Sequence, residues 1–255
     1  GDELFSLIPL LFWLAPEISS VYITNFGFIL TAGQVVKDLL KLPRPHGKNS
    51  KYEIAKLEAH YGTEYGMPST HTMAGFLPLT VLLRLQQRGY AVPLWGWAAC
   101  GGCVFSVALS RLYMGVHSVL DLISGAILAA VCAAAINQAG DSFDVFLYQS
   151  PESHLTWVIL MAIFVIKYPS TKPWSASTST ACQIFGLLAG LGTATWFAHF
   201  HWVQCWQIFM RNSIASTAAL DWLVVSARVV CGYAIVLFVK IASKAVLTPI
   251  FVSTF

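Results

Sequence analysis

Three short clusters in this chain carry the side chains of phosphoryl chemistry. They are Lys37, six residues, then Arg44-Pro45; Pro68-Ser69-Thr70-His71; and Ser110-Arg111, five residues, His117, three residues, Asp121. Lys and Arg grip phosphoryl oxygens, Lys as a point charge and Arg as a planar fork. His117 and Asp121 stand four apart, on one face of a helix. A carboxylate bonded to one imidazole nitrogen fixes the tautomer and leaves the other nitrogen free to attack. The plain alternative makes Asp121 a helix cap or dipole partner. His71 follows Ser69 and Thr70 at a helix start, where backbone N–H groups point at an anion. Its imidazole suits protonation of a leaving alkoxide, a contribution of about 10²–10⁴ in rate. Here the alternative is that Ser69 or Thr70 simply caps the helix, and capping coexists with phosphate binding.

Lys37, Arg44 and Arg111 would hold the phosphoryl oxygens. Lys37 and Arg44 are about two helical turns apart and face one way if the helix continues that far. Each alone reads as a snorkelling interface residue; their coincidence with two histidines favours a site. Phosphate monoester hydrolysis is very slow uncatalysed, so clamping the transferred charge should be the main contribution. No carboxylate cluster stands ready for Mg²⁺, so no metal and no cofactor are expected. Asp38 reads as a helix-end charge. Glu53, Glu58 and Glu64 lie in the loop before His71 and are candidates for contact with an amino group on a substrate.

These clusters sit in a membrane protein. The 255 residues are 56% hydrophobic and only 11% charged, whereas a soluble domain averages about 25% charged. Ionisable groups at membrane depth are expensive and tend to be functional. Net charge is +3, and six of the fifteen Lys and Arg fall between Lys37 and Lys56. Lys48, Lys51 and Lys56 read as a solvated loop. The six cysteines lie mostly in apolar runs, and Cys100-Gly-Gly-Cys103 reads as packing rather than redox chemistry. No Cys/His spacing fits a metal, and no signal peptide is evident.

A span needs about 20 apolar residues. Candidates are Leu4–Leu14, Ser19–Val36, Thr72–Leu85, Val92–Leu112, Val119–Asn137, Leu155–Lys167, Cys182–Phe200 and Trp222–Ile241, about eight. Gly101, Gly102, Ser106 and Ala108, and later Gly186, Gly190 and Gly192, would let helices approach closely. Trp95, Trp97, Trp157, Trp174 and Trp222 would form an interfacial belt. Pro43 and Pro45 end the second span. The loop that follows is the longest polar stretch, with a short amphipathic helix expected over Lys51–Glu58. The Lys37 cluster closes one span and the Ser69 cluster opens the next. Two crossings later the Arg111 and His117 cluster lies on that same face. Arg84 and Arg88, on the opposite side, suit the cytoplasm. The site would then face the lumen or exterior, although the basic Lys37–Lys56 loop points the other way.

The clusters resemble those of the type 2 phosphatidic acid phosphatase (PAP2) superfamily, whose pattern is K-x6-RP, PSGH and SR-x5-H-x3-D. The first and third match in full; Thr70 replaces the usual Gly of the second. The closer likeness is to the sphingosine-1-phosphate phosphatases of the endoplasmic reticulum, in which Pro-Ser-Thr-His is normal. It rests on Gly1–Phe5, Gly33–Pro45, Glu64-Tyr65-Gly66-Met67 and Leu109–Asp121, and is weaker after Gly125, including Trp174–Thr180 and Asn212–Ala219.

That resemblance implies an all-α, polytopic transmembrane bundle with a six-helix catalytic core, forming one integral membrane phosphatase domain over residues 1–255. Members usually extend further at both ends, so a trimmed chain is expected. It implies His117 as nucleophile, His71 as acid and Asp121 as partner, with Lys37, Arg44, Ser69, Thr70 and Arg111 on the phosphate. The expected substrate is a sphingoid base 1-phosphate, cleaved through a phosphohistidine in the endoplasmic reticulum membrane, with the site on the lumenal side. This would serve sphingolipid signalling and salvage. The bilayer is the expected partner, a second copy of the chain is a candidate one, and nucleic acid is not expected. The alternatives are a phosphatase for phosphatidate, a polyprenyl diphosphate or a sugar phosphate, and a transporter or catalytically silent lipid-binding scaffold. No polar residues recur through the middle of several spans, which disfavours a transporter. The presence of both histidines and Asp121 disfavours the scaffold.

Overall fold

The computed structural model describes residues 16–45, 64–168, 175–201 and 219–254. All regular structure among them is helical: α1 Pro16–Leu40, α2 Thr70–Gly75, α3 Leu77–Gln87, α4 Leu94–Tyr113, α5 Val119–Gln149, α6 Ser153–Lys167, α7 Ala176–His201 and α8 Ala219–Thr254. The helices fall on the apolar runs read from the sequence. The expected first span and the amphipathic helix over Lys51–Glu58 lie outside the described residues. Three helical stretches are long and apolar enough to cross a membrane: Val119–Ala139, Ala176–Phe197 and Val229–Val246. The expected count of eight crossings is therefore not established.

The chain divides into two compact units, residues 1–20 with 203–255, and Val21–Trp202. In the first, α8 is a single long helix with Pro249 near its end. The second carries every candidate site residue. Its α2 and α3 stand where one span was expected. Pro78 has no N–H to donate and its ring crowds the carbonyl four residues back, so the helix is interrupted at Phe76. Thr80 restarts the ladder by donating to the Phe76 carbonyl.

Buried apolar side chains of the second unit include Ile23, Phe26 and Ile29 of α1, with Met73, Leu77 and Val116. Further along, Trp157 of α6 packs between Phe28 of α1 and Phe185 and Leu188 of α7. Phe164 stacks flat on Phe185 at 4.4 Å. Trp157 is thus a core residue and not part of an interfacial belt, whereas Trp95 is exposed as a belt residue would be. The small residues also divide. A Cβ on Gly192 would strike the Trp157 indole, so that glycine does admit a close neighbour. Gly101, Gly102 and Gly190 face open space, and α4 is exposed along most of its length, as a lipid-facing helix is. Cys100 and Cys103 are free.

A close backbone approach joins the start of α2 to α5. The Ser69 N–H donates to the Asp121 carbonyl at 2.9 Å. A Cβ on Gly125 would lie 2.7 Å from the Ser69 carbonyl oxygen, closer than atoms can sit. Gly125→Ala should therefore push the two helix starts apart and cost about 1–3 kcal/mol. Thermal unfolding in detergent measures this; an unchanged melting temperature would refute the tight approach.

Candidate functional site

Local chain geometry brings the three clusters together. Helix α1 stops at Leu40, and Lys41 adopts a left-handed φ of 53°, its N–H returning to the Lys37 carbonyl at 3.1 Å. The helix thus does not continue to Arg44, contrary to the two-turn reading. Arg44 reaches the site from the extended segment beyond the cap. That segment is tied by the Gly66 N–H to the Leu42 carbonyl at 2.8 Å. A Cβ on Gly66 would sit 3.1 Å from the Pro43 carbonyl, so this crossing also needs a small residue.

Lys37 is fully buried. Its ammonium contacts Thr70 Oγ1 at 3.3 Å and Glu64 Oε2 at 3.5 Å. Arg44 is also buried. Its guanidinium donates to the Glu64 carbonyl at 3.2 Å, Glu64 Oε2 at 3.1 Å and the Val116 carbonyl at 2.9 Å. One further N–H lies 3.3 Å from His117 Nε2. Arginine can only donate, so Nε2 presents its lone pair and the ring proton sits on Nδ1. Nδ1 faces Asp121 Oδ2 at 3.6 Å, within ion-pair range but beyond a hydrogen bond. Burial lowers the His117 pKa, and the Asp121 carboxylate opposes that shift.

Asp121 is a helix cap, as one of its two readings expects. Its Oδ2 accepts the Ser118 N–H at 2.7 Å while Ser118 Oγ accepts the Asp121 N–H at 3.2 Å, a reciprocal capping box. The cap fixes the carboxylate beside the imidazole. Ser69 is likewise a cap: its Oγ accepts from the Thr72 N–H and hydroxyl. Its own N–H is already used by Asp121. Helix α2 is only six residues long, so the dipole argument for anion binding at its start has little helix behind it. Arg111 is half-buried and donates to Ser110 Oγ at 3.3 Å.

His71 stands just ahead of the expected span Thr72–Leu85. Its pKa is pushed down to about 3, by burial first and then by the charges of Arg111, Lys37, His117 and Arg44. Lys37 meets Thr70 at 3.3 Å and Arg44 meets His117 at 3.3 Å, so side chains from all three clusters come together here. His46, His60, Glu53 and Glu58 lie outside the described residues. Among the described residues no group of three or more His, Cys, Asp or Glu is placed to hold a metal. Arg84, assigned to a loop, is instead buried and reaches the Asn137 carbonyl at 3.5 Å. Only Arg88 is left as an exposed charge for the orientation argument.

Sequence reasoning missed two carboxylates. Asp38, read as a helix-end charge, is fully buried. It accepts hydrogen bonds from Tyr168 at 2.7 Å, from Thr178 at 3.1 Å and from Ser177. Those donors come from the end of α6 and the start of α7, in the part of the chain where the family likeness is weaker. Glu64 was considered only for an amino group, yet it bridges Lys37 and Arg44. Both positions are adjacent to recognisable motifs, but nothing local in the sequence specifies their partners.

Residues 18–143 match the PAP2 superfamily. The chain is 32% identical to mouse sphingosine-1-phosphate phosphatase 2 over 206 residues, 78% of this chain and 56% of the relative. It is 29% identical to sphingosine-1-phosphate phosphatase 1 of Rattus norvegicus, over 98% of this chain and 59% of the relative. It is 26% identical to a dihydrosphingosine 1-phosphate phosphatase of Schizosaccharomyces pombe, over 99% and 62%. The chain thus spans a little over half the length of these curated relatives. No solved structure matches it.

The neutral pocket histidines make stability depend on pH. In the unfolded chain His71 titrates at its ordinary value of 6.5, and in the fold near 3. Between these values the unfolded state binds more protons, so the stability held above pH 6.5 is lost as pH falls toward 3. Without a bound anion, the melting temperature should drop between pH 7.5 and 5.5. His71→Asn should lose less over that interval; an equal loss would remove His71 as its source.

Proposed function

Because the chain belongs to the PAP2 superfamily, we propose that it is an integral membrane lipid phosphatase that dephosphorylates sphingoid base 1-phosphates. One observation carries the chemistry: His117 Nε2 presents a lone pair to Arg44 while Nδ1 faces Asp121. An imidazole held in that tautomer, against a donor that binds phosphoryl oxygens, is set to attack phosphorus.

In the first half-reaction His117 Nε2 bonds to phosphorus and the bond to the lipid oxygen breaks. His71 gives its proton to the departing alkoxide, which leaves as the free sphingoid base. In the second half, water attacks the phosphohistidine, His71 takes the water's proton, and phosphate leaves. Lys37, Arg44 and Arg111 neutralise the equatorial oxygens of the transferred group, assisted by Ser69 and Thr70. Asp121 holds the His117 ring and balances the imidazolium charge. His71 is kept neutral by burial first and by the surrounding cations second. A phosphate dianion reverses that field, raises its pKa and loads the acid only when substrate is present. A pocket lined by cations repels Mg²⁺, so the reaction proceeds without a metal.

The substrate class follows the relatives, two of which are named for sphingosine 1-phosphate and one for dihydrosphingosine 1-phosphate. Placement in the endoplasmic reticulum membrane is part of the same reading. Arg88, on the far side of α3, supports a lumenal site. The role is one in sphingolipid signalling and salvage, and two copies would form the homodimer if the protein self-associates.

The purified protein in detergent with EDTA should release phosphate from dihydrosphingosine 1-phosphate faster than from phosphatidate or glucose 6-phosphate. His117→Ala should lower turnover about 10⁴-fold or more, as loss of a nucleophile does. Normal rates in that variant would sink the assignment. His71→Ala should lose about 10²–10⁴-fold on the lipid, and less on p-nitrophenyl phosphate, whose leaving group needs no proton. Equal losses on both would contradict the acid role.

A further inference from the structure

A carboxylate lies in the middle of a pocket proposed to bind phosphate. Glu64 Oε2 is 3.1 Å from Arg44 and 3.5 Å from Lys37, occupying the donors that should meet the substrate. For a phosphate dianion alone this is unfavourable, since like charges at such range repel. Glu64 pairs the two buried cations before substrate arrives, but a phosphate that takes them over leaves this carboxylate without a partner. The substrate proposed above carries a second charge. In a sphingoid base 1-phosphate the carbon next to the phosphate-bearing carbon carries an ammonium.

The other carboxylates near the site are committed. Asp38 is fully buried and accepts from three hydroxyls. Asp121 accepts the Ser118 N–H and faces His117. Among the described residues Glu64 is the remaining carboxylate of this pocket, and its side chain keeps 16% of its surface exposed. It is therefore not fully enclosed, unlike Lys37.

We propose that Glu64 selects the substrate by its ammonium group. In the empty pocket Glu64 stands in for the phosphate and neutralises Lys37 and Arg44. When a sphingoid base 1-phosphate enters, its phosphate takes over those two donors and its ammonium takes over the released carboxylate. The exchange conserves charge pairs, so both charged ends of the ligand are paired and no carboxylate is stranded. Lysophosphatidate, with one chain and one phosphate but no ammonium, displaces Glu64 without giving it a partner. The proposal rests on the phosphatase reading and deepens it.

The test compares kcat/KM for sphingosine 1-phosphate and for lysophosphatidate in the same mixed micelles. Wild type should prefer the amino lipid. Glu64→Gln should lower that preference about tenfold or more, as expected for loss of a hydrogen-bonded ion pair. It should also bind vanadate more tightly, because the competing charge is gone. Glu64→Asp, which keeps the carboxylate, should retain most of the preference. The ratio is read within each protein, so a smaller folded fraction cancels. A preference unchanged in Glu64→Gln, or a loss equal for both lipids, total loss included, would overturn the proposal. If wild type hydrolyses neither lipid, the phosphatase reading itself fails, a result distinct from both.

Discussion

Buried positive charge is the constraint on which this site is built. Lys37 and Arg44 are both withdrawn from water, and each such ion costs several kcal/mol unless paired and hydrogen-bonded. The protein meets that cost with Glu64, the Val116 carbonyl and the Thr70 hydroxyl, all within 3.5 Å. A cluster of cations held this way is a standing electric field aimed at one place. Second to burial itself, that field helps to depress the pKa of His71 to about 3. Donors fixed in advance in surroundings of low dielectric need little reorganisation when an anion arrives. The same field therefore accounts for the stored instability at low pH and for the attraction of phosphate.

Holding that field in place is a backbone problem, and helix ends solve it. Each cluster sits near a helix start or stop, and only Arg44 among the clusters' charged groups leaves from an extended segment, which is itself tied to Gly66. Ser118 and Asp121 lock the start of α5, Ser69 caps α2, and Lys41 closes α1. Backbone contacts then join these ends directly, Ser69 to Asp121 and Gly66 to Leu42. Gly125 permits the first of these by leaving out a side chain.

Much of this was legible in the sequence, for a physical reason. Charged and imidazole side chains in apolar runs are rare, so Lys37, Arg44, His71, Arg111, His117 and Asp121 stand out by type and spacing, and contacts such as Lys37 to Thr70 and Arg44 to His117 join the clusters. The parts that were not legible depend on distant partners. Trp157 reads as a belt residue because it lies near a helix end; only the packing of α6 on α7 and α1 makes it core. Gly101 and Gly102 look like helix contacts, but a small residue does not reveal whether another helix faces it. The two-turn spacing of Lys37 and Arg44 matters only if α1 continues to Arg44, and the chain instead leaves the helix at Lys41, which adopts a left-handed φ. Arg84 reads as a loop charge until α5 covers it.

The last turn of α1 explains how the weaker half of the family likeness belongs to the same site. Lys37 and Asp38 are neighbours, and successive residues on a helix point about 100° apart. Lys37 is drawn toward α2 and Glu64, while Asp38 is drawn toward Tyr168, Ser177 and Thr178. Opposite charges on one turn are thus anchored to opposite neighbours, and the turn is held from two sides. Releasing Asp38 would leave a buried carboxylate unpaired beside a buried ammonium. The two would then attract each other, and Lys37 would turn away from Thr70 and Glu64. Hydroxyls suit this task better than a second lysine or arginine would. They satisfy the carboxylate without adding charge to a pocket whose cations are already balanced, so α6 and α7 can fix the position of Lys37 without changing the field it helps to make.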